Sequence, residues 1–374
     1  MLKKKVALVA TAAVAALLVG TTGPAANAAL KPDYKAVVGD ECLRVGKKAA
    51  GRGVNGTDLT CTKVTTGSFA GSLRWWYPEV KPFGSVEWVS SSNIGGGYGT
   101  TAIAIGDAMK KEGLLKDYTV TYRSNAPLGL GYFYDQKDRK DLLLITGFAM
   151  PGGLATNGSK LSITTAKAVA SVMREAEAFV VPTSSKYKTI NDLLADIKAN
   201  PKSVAIGGGN YGGVDHVTVA TLAATVGVKA TDLNYIPYSG GGSLVPDVIG
   251  GRVAVGISGT SEFASYVAAG KMRALAITSP KPLKVIKGKT LVQQGVDLTF
   301  GNWRGILAPA DLSDADLLNT QKIMDILHSS PSWKDTLVAK SWIDEFRVGT
   351  SFQSWIKKEN ADIISVLTDF KLVK

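Results

Sequence analysis

The sequence predicts an α/β protein, and three observations support that prediction. From Val86 onward, short apolar runs typical of buried strands alternate with amphipathic stretches typical of helices. Glycine-rich turns join the two kinds of segment, as in residues 203–213 (SVAIGGGNYGG). The composition, 45% hydrophobic and 20% charged over 374 residues, is that of a globular protein with a large core. Alternation of this kind favours mostly parallel sheets covered by helices.

The first 28 residues predict a secretory signal peptide. Three lysines precede an apolar run over residues 6–20, and Ala26-Asn27-Ala28 forms an A-x-A cleavage site. The apolar run is short for a membrane span. We therefore expect cleavage after Ala28 and an exported protein in the periplasm or cell envelope.

The charge of the chain favours an anionic ligand. Removing the signal peptide lowers the formal net charge from +12 to +9, because it removes three lysines and no acid. The remaining Lys and Arg residues are scattered rather than gathered in a basic tract, and an exported protein meets little nucleic acid. A small organic acid is therefore the expected ligand, and no nucleic-acid partner is expected.

Residues 29–85 form a separate N-terminal segment in this prediction. They contain both cysteines of the chain, Cys42 and Cys61, which in an exported protein most simply form one structural disulfide. Candidate strands lie at residues 58–64 (DLTCTKV) and 71–77 (GSLRWWY). The segment is either a small disulfide-tied β module or an extended arm tied to the body.

Elements can be assigned in order along the rest of the chain. Strands are expected at residues 86–91, 142–150, 176–185, 203–206, 233–239, 252–258 and 273–279. Helices are expected at residues 102–115, 189–201 and 216–227, and near 313–329, 331–338 and 350–368. Thr189 is the expected N-cap of the second of these helices.

Gly207, Gly209 and Gly212 match the G-x-G-x-x-G pattern of a dinucleotide-binding loop. That site also needs an acidic residue at the end of the following strand to bind a ribose hydroxyl, but the strand here ends in Tyr238-Ser239. We therefore predict no nicotinamide cofactor, and no other cofactor. Two histidines far apart in sequence, His216 and His328, also make a histidine-based metal site improbable.

Glycine turns that enter helices still predict an anion site. Such a turn presents free N–H groups at the positive end of the helix dipole, and these bind a carboxylate as readily as a phosphate. Ligands of open α/β sheets bind at the carboxyl edge of the strands, where several such turns would meet. The candidate turns lie at residues 93–101, 145–150, 207–216, 238–243 and 256–262.

Three segments resemble the extracytoplasmic substrate-binding receptors of tripartite tricarboxylate transporters. They are residues 234–280 (from NYIPYSGGGS to RALAITSP), the Gly-x-Gly…His element ending at His216, and residues 300–309 (FGNWRGILAP). The resemblance runs from about Val86 to the C-terminus. It implies a two-lobed periplasmic-binding-protein type II fold, a carboxylate ligand between the lobes and membrane permease subunits as partners. We assign lobe one to residues 86–181 and 277–374, and lobe two to residues 182–276.

The resemblance also implies the site. Backbone amides of one loop from each lobe would hold a carboxylate. The planar guanidinium of Arg304, considered apart from the resemblance, would either fork onto a distal carboxylate or bridge the lobes. The predicted site consists of Ser92, Asn93, Gly96, Gly97, Tyr98, Gly99, Thr100, Thr101, Thr146, Gly147, Gly208, Gly209, Asn210, Tyr211, Gly212, Gly213, His216, Ser258 and Arg304.

Some residues depart from the family pattern or from a simple anion site. The first loop lacks the aspartate that usually follows its glycines, and Gly213 stands where the family often has serine. Glu262 would repel a carboxylate unless it binds a cation or an amino group of the ligand. Citrate-like acids, dicarboxylates, aromatic acids and amino-acid-like molecules all remain open as ligands.

Enzyme motifs do not stand out in the sequence. It contains no G-x-S-x-G, no H-E-x-x-H and no P-loop. We therefore predict a monomeric receptor rather than an enzyme. Two alternatives stay open: a secreted hydrolase with His216 as its base, and an envelope sensory or interaction protein whose function lies in the N-terminal segment.

Overall fold

The computed structural model describes residues 36–238 and 240–373. The predicted signal peptide and its cleavage site after Ala28 lie outside these residues. Among the helices of the described ranges, none combines the length and apolar character needed to cross a bilayer.

Strands and helices alternate along the described residues, as predicted. The strands are β1 (Lys48–Ala49), β2 (Leu59–Lys63), β3 (Leu73–Trp76), β4 (Phe83–Ser90), β5 (Leu115–Tyr122), β6 (Leu142–Gly147), β7 (Lys167–Glu175), β8 (Glu177–Pro182), β9 (Ala205–Gly208), β10 (Asn234–Pro237), β11 (Val255–Gly259), β12 (Met272–Ile277), β13 (Asn302–Ala308) and β14 (Arg347–Val348). The helices are α1 (Gly97–Lys111), α2 (Ala126–Tyr134), α3 (Ala149–Thr156), α4 (Ile190–Ala199), α5 (Val214–Ala224), α6 (Gly241–Ile249), α7 (Thr260–Ala268), α8 (Asp314–Ser329), α9 (Pro331–Lys340) and α10 (Thr350–Asp369).

The N-terminal segment is a β module. Strands β1, β2 and β3 form an antiparallel sheet, and the predicted disulfide joins Cys42 to Cys61 with 5.7 Å between their Cα atoms. The module is bound to the body through polar contacts. The Ser68 N–H donates to Glu112 Oε2 at 2.8 Å, and the Tyr77 hydroxyl donates to Asp325 Oδ2 at 2.5 Å. The segment is therefore a small folded unit rather than an extended arm.

Two larger sheets make up the body. The six-stranded sheet has the order β14-β7-β13-β6-β4-β5, and the five-stranded sheet has the order β10-β9-β11-β8-β12. Strands β4, β5 and β6 are parallel, as are β9, β10 and β11. The prediction of mostly parallel sheets holds only for these strands. Strands β7, β8, β12, β13 and β14 pair antiparallel.

The antiparallel strands carry the chain between the sheets. Only Ala176 separates β7 of the six-stranded sheet from β8 of the five-stranded sheet, so no crossover helix returns the chain in the parallel direction. The first crossing therefore precedes β8, whereas the sequence placed the boundary at residues 181/182, which is the far end of that strand. The chain returns through residues 278–301, between β12 and β13.

The hydrophobic cores follow the sheets. One core covers the β module and the six-stranded sheet, where Trp88, Trp303 and Phe352 are buried, and two further cores lie against the five-stranded sheet. Val214 and Val217, at the start of α5, belong to the first core although their helix covers the other sheet. The beginning of α5 is thus packed against the six-stranded half.

One predicted helix start is confirmed by the structure, and another is shifted. The Thr189 cap is confirmed, since Thr189 Oγ1 accepts the Asp192 N–H at 3.3 Å and the Asp192 carboxylate accepts the Thr189 N–H at 2.9 Å. Helix α1, by contrast, begins at Gly97 rather than at residue 102. The glycine run predicted as a loop therefore supplies the first turn of α1.

Candidate functional site

The first turn of α1 presents unpaired backbone donors. Gly96 is the N-cap residue, and because it has no side chain it cannot accept a hydrogen bond from the first N–H groups of the helix. Within residues 36–238 and 240–373, the N–H groups of Gly97, Tyr98 and Gly99 have no hydrogen-bond acceptor. Three amides at the positive end of a helix dipole form a site that attracts an anion.

Several predicted side chains of this loop bond locally instead. Thr100 Oγ1 donates to the Gly96 carbonyl at 3.2 Å, and Thr101 Oγ1 donates to the Gly97 carbonyl at 2.8 Å. Ser92 Oγ lies 3.0 Å from Ser90 Oγ, and Asn93 is exposed. On the neighbouring strand, Thr146 Oγ1 donates to the sulfur of Met150 at 3.6 Å.

Arg304 lies beside this helix start. It is 7% exposed, and its guanidinium carbon is 4.7 Å from the centroid of the Tyr98 ring. Its Nη1 donates to Asn302 Oδ1 and to the Trp303 carbonyl. No carboxylate oxygen of the described residues lies within 4.0 Å of its nitrogens. Arg304 is thus a buried cation without an ion pair, in a position that suits a carboxylate.

Two glycines make room for the guanidinium. A Cβ atom at Gly97 would lie 2.5 Å from Arg304 Nη2, and a Cβ atom at Gly147 would lie 2.9 Å from Nη1. Gly147 faces Arg304 directly across the β6–β13 ladder. The structure therefore brings Gly97, Tyr98, Gly147 and Arg304 together, as the predicted site requires.

The second glycine loop uses its amides internally. The Gly209 N–H donates to Asp215 Oδ2 at 2.7 Å, the Gly212 N–H to His216 Nδ1 at 3.1 Å, and the Gly213 N–H to the Asn210 carbonyl at 2.9 Å. Gly208 is bound into β9, which pairs with β10. These groups were predicted to hold the ligand, but the chain itself already occupies their donors.

His216 has a structural environment. Its ring stacks on Tyr235 with 4.2 Å between centroids and meets the edge of Tyr211 at 5.0 Å. Burial lowers the pKa of His216 to about 4, so the ring is neutral near pH 7. Neutral Nδ1 accepts the Gly212 N–H and thereby fixes the loop. Tyr211 is 51% exposed, and its hydroxyl donates to the Tyr235 carbonyl.

Carboxylates of the chain occupy the helix starts of the five-stranded half. Glu175, at the end of β7, accepts the Ser261 N–H at 3.0 Å and the Ser261 hydroxyl at 2.5 Å, at the first turn of α7. The Glu262 carboxylate lies against Gly241 at the start of α6 and accepts the Ser258 hydroxyl at 3.1 Å. With Asp215 in the first turn of α5, three helix starts each face an acid of the chain.

Glu177 lies among these acids without a donor. It is 0% exposed, and neither carboxyl oxygen accepts a hydrogen bond from an N–H or O–H group of the described residues. Burial raises the pKa of Glu177 well above its usual value, the carboxyls of Asp215, Glu175 and Glu262 raise it further, and Arg304 acts in the opposite direction. We define Glu175, Glu177, Asp215 and Glu262 as the acidic cluster.

Two other members of the acidic cluster also bind protons more tightly than usual. Burial raises the pKa of Asp215 to about 6, although the Gly209 N–H favours its charged form. Dense protein surroundings and the Glu175 and Asp215 carboxyls raise the pKa of Glu262 to about 7. Glu262 is nevertheless exposed by surface area, so water reaches this side of the cluster.

The two halves meet around these groups. Gly152 of α3 lies so close to the Gly212 carbonyl that a Cβ atom would not fit between them. Arg304, from the six-stranded sheet, lowers the pKa of both Glu177 and Asp215, so the unpaired cation and the acidic cluster face each other. Loops from both sheets therefore converge, as the glycine pattern predicted.

Sequence reasoning missed most of the acidic cluster. It singled out Glu262, but not Glu175, Glu177 or Asp215. Two glutamates, Glu175 and Glu177, beside Arg174 in the largely apolar run 168–182 were the available signal, because a charged residue in a buried strand needs a reason to be there. The His, Cys, Asp and Glu side chains of the described ranges form no group of three that could hold a metal ion.

Comparison with known proteins identifies relatives of the chain. The family model for receptors of the tripartite tricarboxylate transporter family matches residues 157–350. Protein BugT of Bordetella pertussis is 29% identical over 134 residues, 35% of this chain and 40% of BugT. The first curated relatives are likewise matched over only about a third to a half of their length, 36% and 47%.

Solved structures show the same fold. MatC from Rhodopseudomonas palustris, solved with malate, has a TM-score of 0.63 and 16% identity, covering 78% of this chain and 99% of MatC. Rpa4515 of R. palustris, solved with adipate, has a TM-score of 0.65 and 20% identity, with coverages of 78% and 99%. At this level of identity the likeness concerns the fold alone. The predicted two-lobed α/β fold of periplasmic binding proteins is confirmed.

Proposed function

Because the chain belongs to the tripartite tricarboxylate transporter receptor family, we propose that it captures a small carboxylate between its two sheets and delivers it to a membrane permease. This family consists of solute-binding proteins rather than enzymes. The malate and adipate bound to two structural neighbours are both small organic acids, which supports the same ligand class here.

The observation that carries the proposal is the unpaired Arg304. A buried guanidinium without a counter-ion is costly, so it favours a ligand that brings a negative charge. The free amides of Gly97, Tyr98 and Gly99 lie at the same place and add charge-assisted hydrogen bonds. In this proposal Arg304 and the first turn of α1 hold one carboxylate of the ligand.

The remaining predicted residues take supporting roles. The Tyr98 ring orients the guanidinium, and its buried hydroxyl has no partner within the described residues. His216 and the loop Gly208–Gly213 shape the opposite wall, where the N–H groups of Gly209, Gly212 and Gly213 already have acceptors within the chain. Micromolar affinity corresponds to about −8 kcal/mol. A few charge-assisted bonds at about 1.5–3 kcal/mol each, with the cost of association subtracted, are of that order.

Delivery would depend on closure of the two sheets around the ligand. The chain crosses between them at Ala176 and through residues 278–301, which makes these segments the proposed hinge. Ligand contacts from both sheets would stabilise the closed form, and the permease would recognise that form. We propose that the mature chain does this outside the cytoplasm, as a monomer.

A ligand screen tests the proposal. The mature chain is titrated calorimetrically with small carboxylates that do and do not carry amino groups, after thermal-shift screening. We expect at least one acid to bind, and Arg304→Gln to weaken that binding at least 10-fold. Arg139→Gln is the matched control, because Arg139 already pairs with Glu87 and Asp141. Undiminished binding by Arg304→Gln, or no binding by any acid, would contradict the proposal.

A further inference from the structure

The acidic cluster does not fit a ligand that is only an anion. Glu175, Asp215 and Glu262 are held by donors of their own loops and helices, whereas the fully buried Glu177 has no N–H or hydroxyl donor and shares a hydrogen bond only with the Asp215 carboxyl. A second carboxylate placed beside these four carboxyls would meet repulsion from each of them that is ionised, and it would bring no hydrogen-bond donor to them. The five-stranded side of the cleft therefore offers no cation to bind the second carboxylate of a simple dicarboxylate.

On the opposite side of the cleft, a cation lacks an anionic partner. Arg304 is buried without an ion pair, and the buried Tyr98 hydroxyl next to it also has no partner among the described residues. Arg304 and Glu177 are more than 4.0 Å apart, so they do not form a direct ion pair. Arg304 therefore has no ion pair, and Glu177, beyond ion-pair distance of it, accepts no hydrogen bond from an N–H or O–H group of the described residues.

We propose that the ligand carries a positively charged nitrogen as well as a carboxylate. Its carboxylate lies at Arg304 and the first turn of α1, and its ammonium group lies among Glu177, Asp215 and Glu262. This inference rests on the proposed function and adds the ligand class, a small amino acid or other zwitterion.

The chemistry of an ammonium group matches the cluster. An ammonium has three donors and no acceptor, and ionised carboxylates only accept. Glu177 would gain the donor that it lacks, and Glu262, which water reaches, lies on the open side of the cluster. A bare divalent cation fits less well, since the described acidic, His and Cys side chains form no group of three close enough to hold a metal ion. The cluster therefore favours an organic cation joined to an acid.

Matched ligand pairs test this inference on the mature chain. The pairs differ by one amino group: aspartate and succinate, glutamate and glutarate, 4-aminobutyrate and butyrate, with longer homologues up to eight carbons. Affinity is measured by calorimetry. We expect the amino compound of at least one pair to bind at least 10-fold more tightly than its partner. Butylamine, which has no carboxylate, should bind at least 10-fold more weakly than the best amino acid.

Two variants test whether the acidic cluster causes the preference for the amino compound. Glu177→Gln and Glu262→Gln should each reduce the preference for the amino compound at least 5-fold and leave succinate or glutarate binding unchanged or tighter. Glu262 serves as the second variant because its exposed side chain makes a folding defect improbable. Glu359→Gln, a buried carboxyl on α10, is the control and should keep the full preference.

The outcomes separate the two proposals. If carboxylates bind but in no pair does the amino compound bind more tightly than its partner, the zwitterion inference is overturned and the carboxylate receptor stands. If butylamine binds and no carboxylate does, the carboxylate receptor fails. If both glutamate variants keep the wild-type preference, the ammonium group is not at the acidic cluster and the inference is overturned.

Discussion

The guanidinium of Arg304 lies 4.7 Å from the centroid of the Tyr98 ring, and both side chains are buried at the first turn of α1. This stacking fixes a cation next to three free amides. The arrangement concentrates positive charge on one side of the cleft, opposite the acidic cluster.

Gly97→Ala tests whether the position of Arg304 matters for binding. The added Cβ would lie 2.5 Å from Nη2 and would displace the guanidinium from the helix start. We expect affinity for the identified acid to fall about 10-fold in calorimetry. Gly84→Ala is the control, since nothing lies within 4 Å of a Cβ at that position. Equal affinity of the two variants would show that the ligand does not depend on this geometry.

Tyr98→Phe separates the ring from its hydroxyl. The ring can still stack on Arg304, and a buried hydroxyl without a partner is removed, so we expect the free energy of unfolding to change by less than about 1 kcal/mol. Ligand affinity should fall about 5-fold if the hydroxyl contacts the ligand. Chemical denaturation and calorimetry measure the two effects, and a loss of stability without a loss of affinity would contradict the expectation.

The acidic cluster predicts a pH dependence of the ligand-free protein. The pKa of Asp215 is raised to about 6 and that of Glu262 to about 7, so each carboxyl binds its proton more tightly in the folded state. A raised carboxyl pKa stabilises the fold at low pH, and this contribution is lost as pH rises through the folded value. We expect the melting temperature to be about 2 °C or more higher at pH 6.5 than at pH 8.

Glu262→Gln isolates the contribution of one carboxyl to this trend. Its melting temperature should change less between pH 6.5 and pH 8 than that of the wild type. His216 opposes the trend as pH falls from about 7.5 toward 4, because its folded pKa is lowered to about 4 while the unfolded histidine takes up a proton near pH 6.5. An identical pH profile of variant and wild type would show that Glu262 is not coupled to the cluster.

His216→Phe distinguishes a structural histidine from a catalytic one. Phenylalanine keeps an aromatic ring against Tyr235 but removes the acceptor of the Gly212 N–H, so we expect a loss of about 1–3 kcal/mol in unfolding free energy. Ligand affinity should fall less than 5-fold, because the site is formed mainly on the other side. A hydrolytic activity that disappears in this variant would favour the hydrolase alternative instead.

The double substitution Cys42→Ser and Cys61→Ser tests the N-terminal module. The two cysteines are 19 residues apart in sequence, and a disulfide closing a loop of that size contributes about 3 kcal/mol. We expect the module to melt at a lower temperature and ligand affinity to stay within 2-fold of the wild type. A large loss of affinity would place part of the binding function in the module.

Local signals explain what the sequence predicts well. The Thr189 cap and the cysteine pair need only neighbouring residues or the export compartment to be recognised, and both are present. The start of α1 was placed at residue 102 because glycines weaken a helix prediction. In the structure the Gly97 turn is helical, and its lack of a side chain gives Arg304 its place. The requirement for glycine at position 97 comes from Arg304 on β13, about two hundred residues later in the chain. The residues around Gly97 therefore give no sign of it.

The acidic cluster could not be predicted for the same reason. Glu175 and Glu177 belong to different sheets, and Asp215 has the usual position of an acid in a first helical turn. Glu175 and Glu177 flank the chain crossing at Ala176, and the order of the five-stranded sheet, in which β11 lies between β8 and β9, places Asp215 near them. The glycine turns predict a shared anion site, but acids of the chain accept some of the N–H groups of these turns, as Asp215 does from Gly209 and Glu175 does from Ser261.

The N-terminal module is fastened to one half of the molecule. Ser68 bonds to Glu112 at the end of α1, Tyr77 to Asp325 and Asn55 to Gln321 on α8, and all three partners pack with the six-stranded sheet. A pull exerted through the N-terminal end would therefore be borne by that half alone. None of these three bonds reaches the five-stranded half, so a tether at this end would not by itself oppose the closure proposed above.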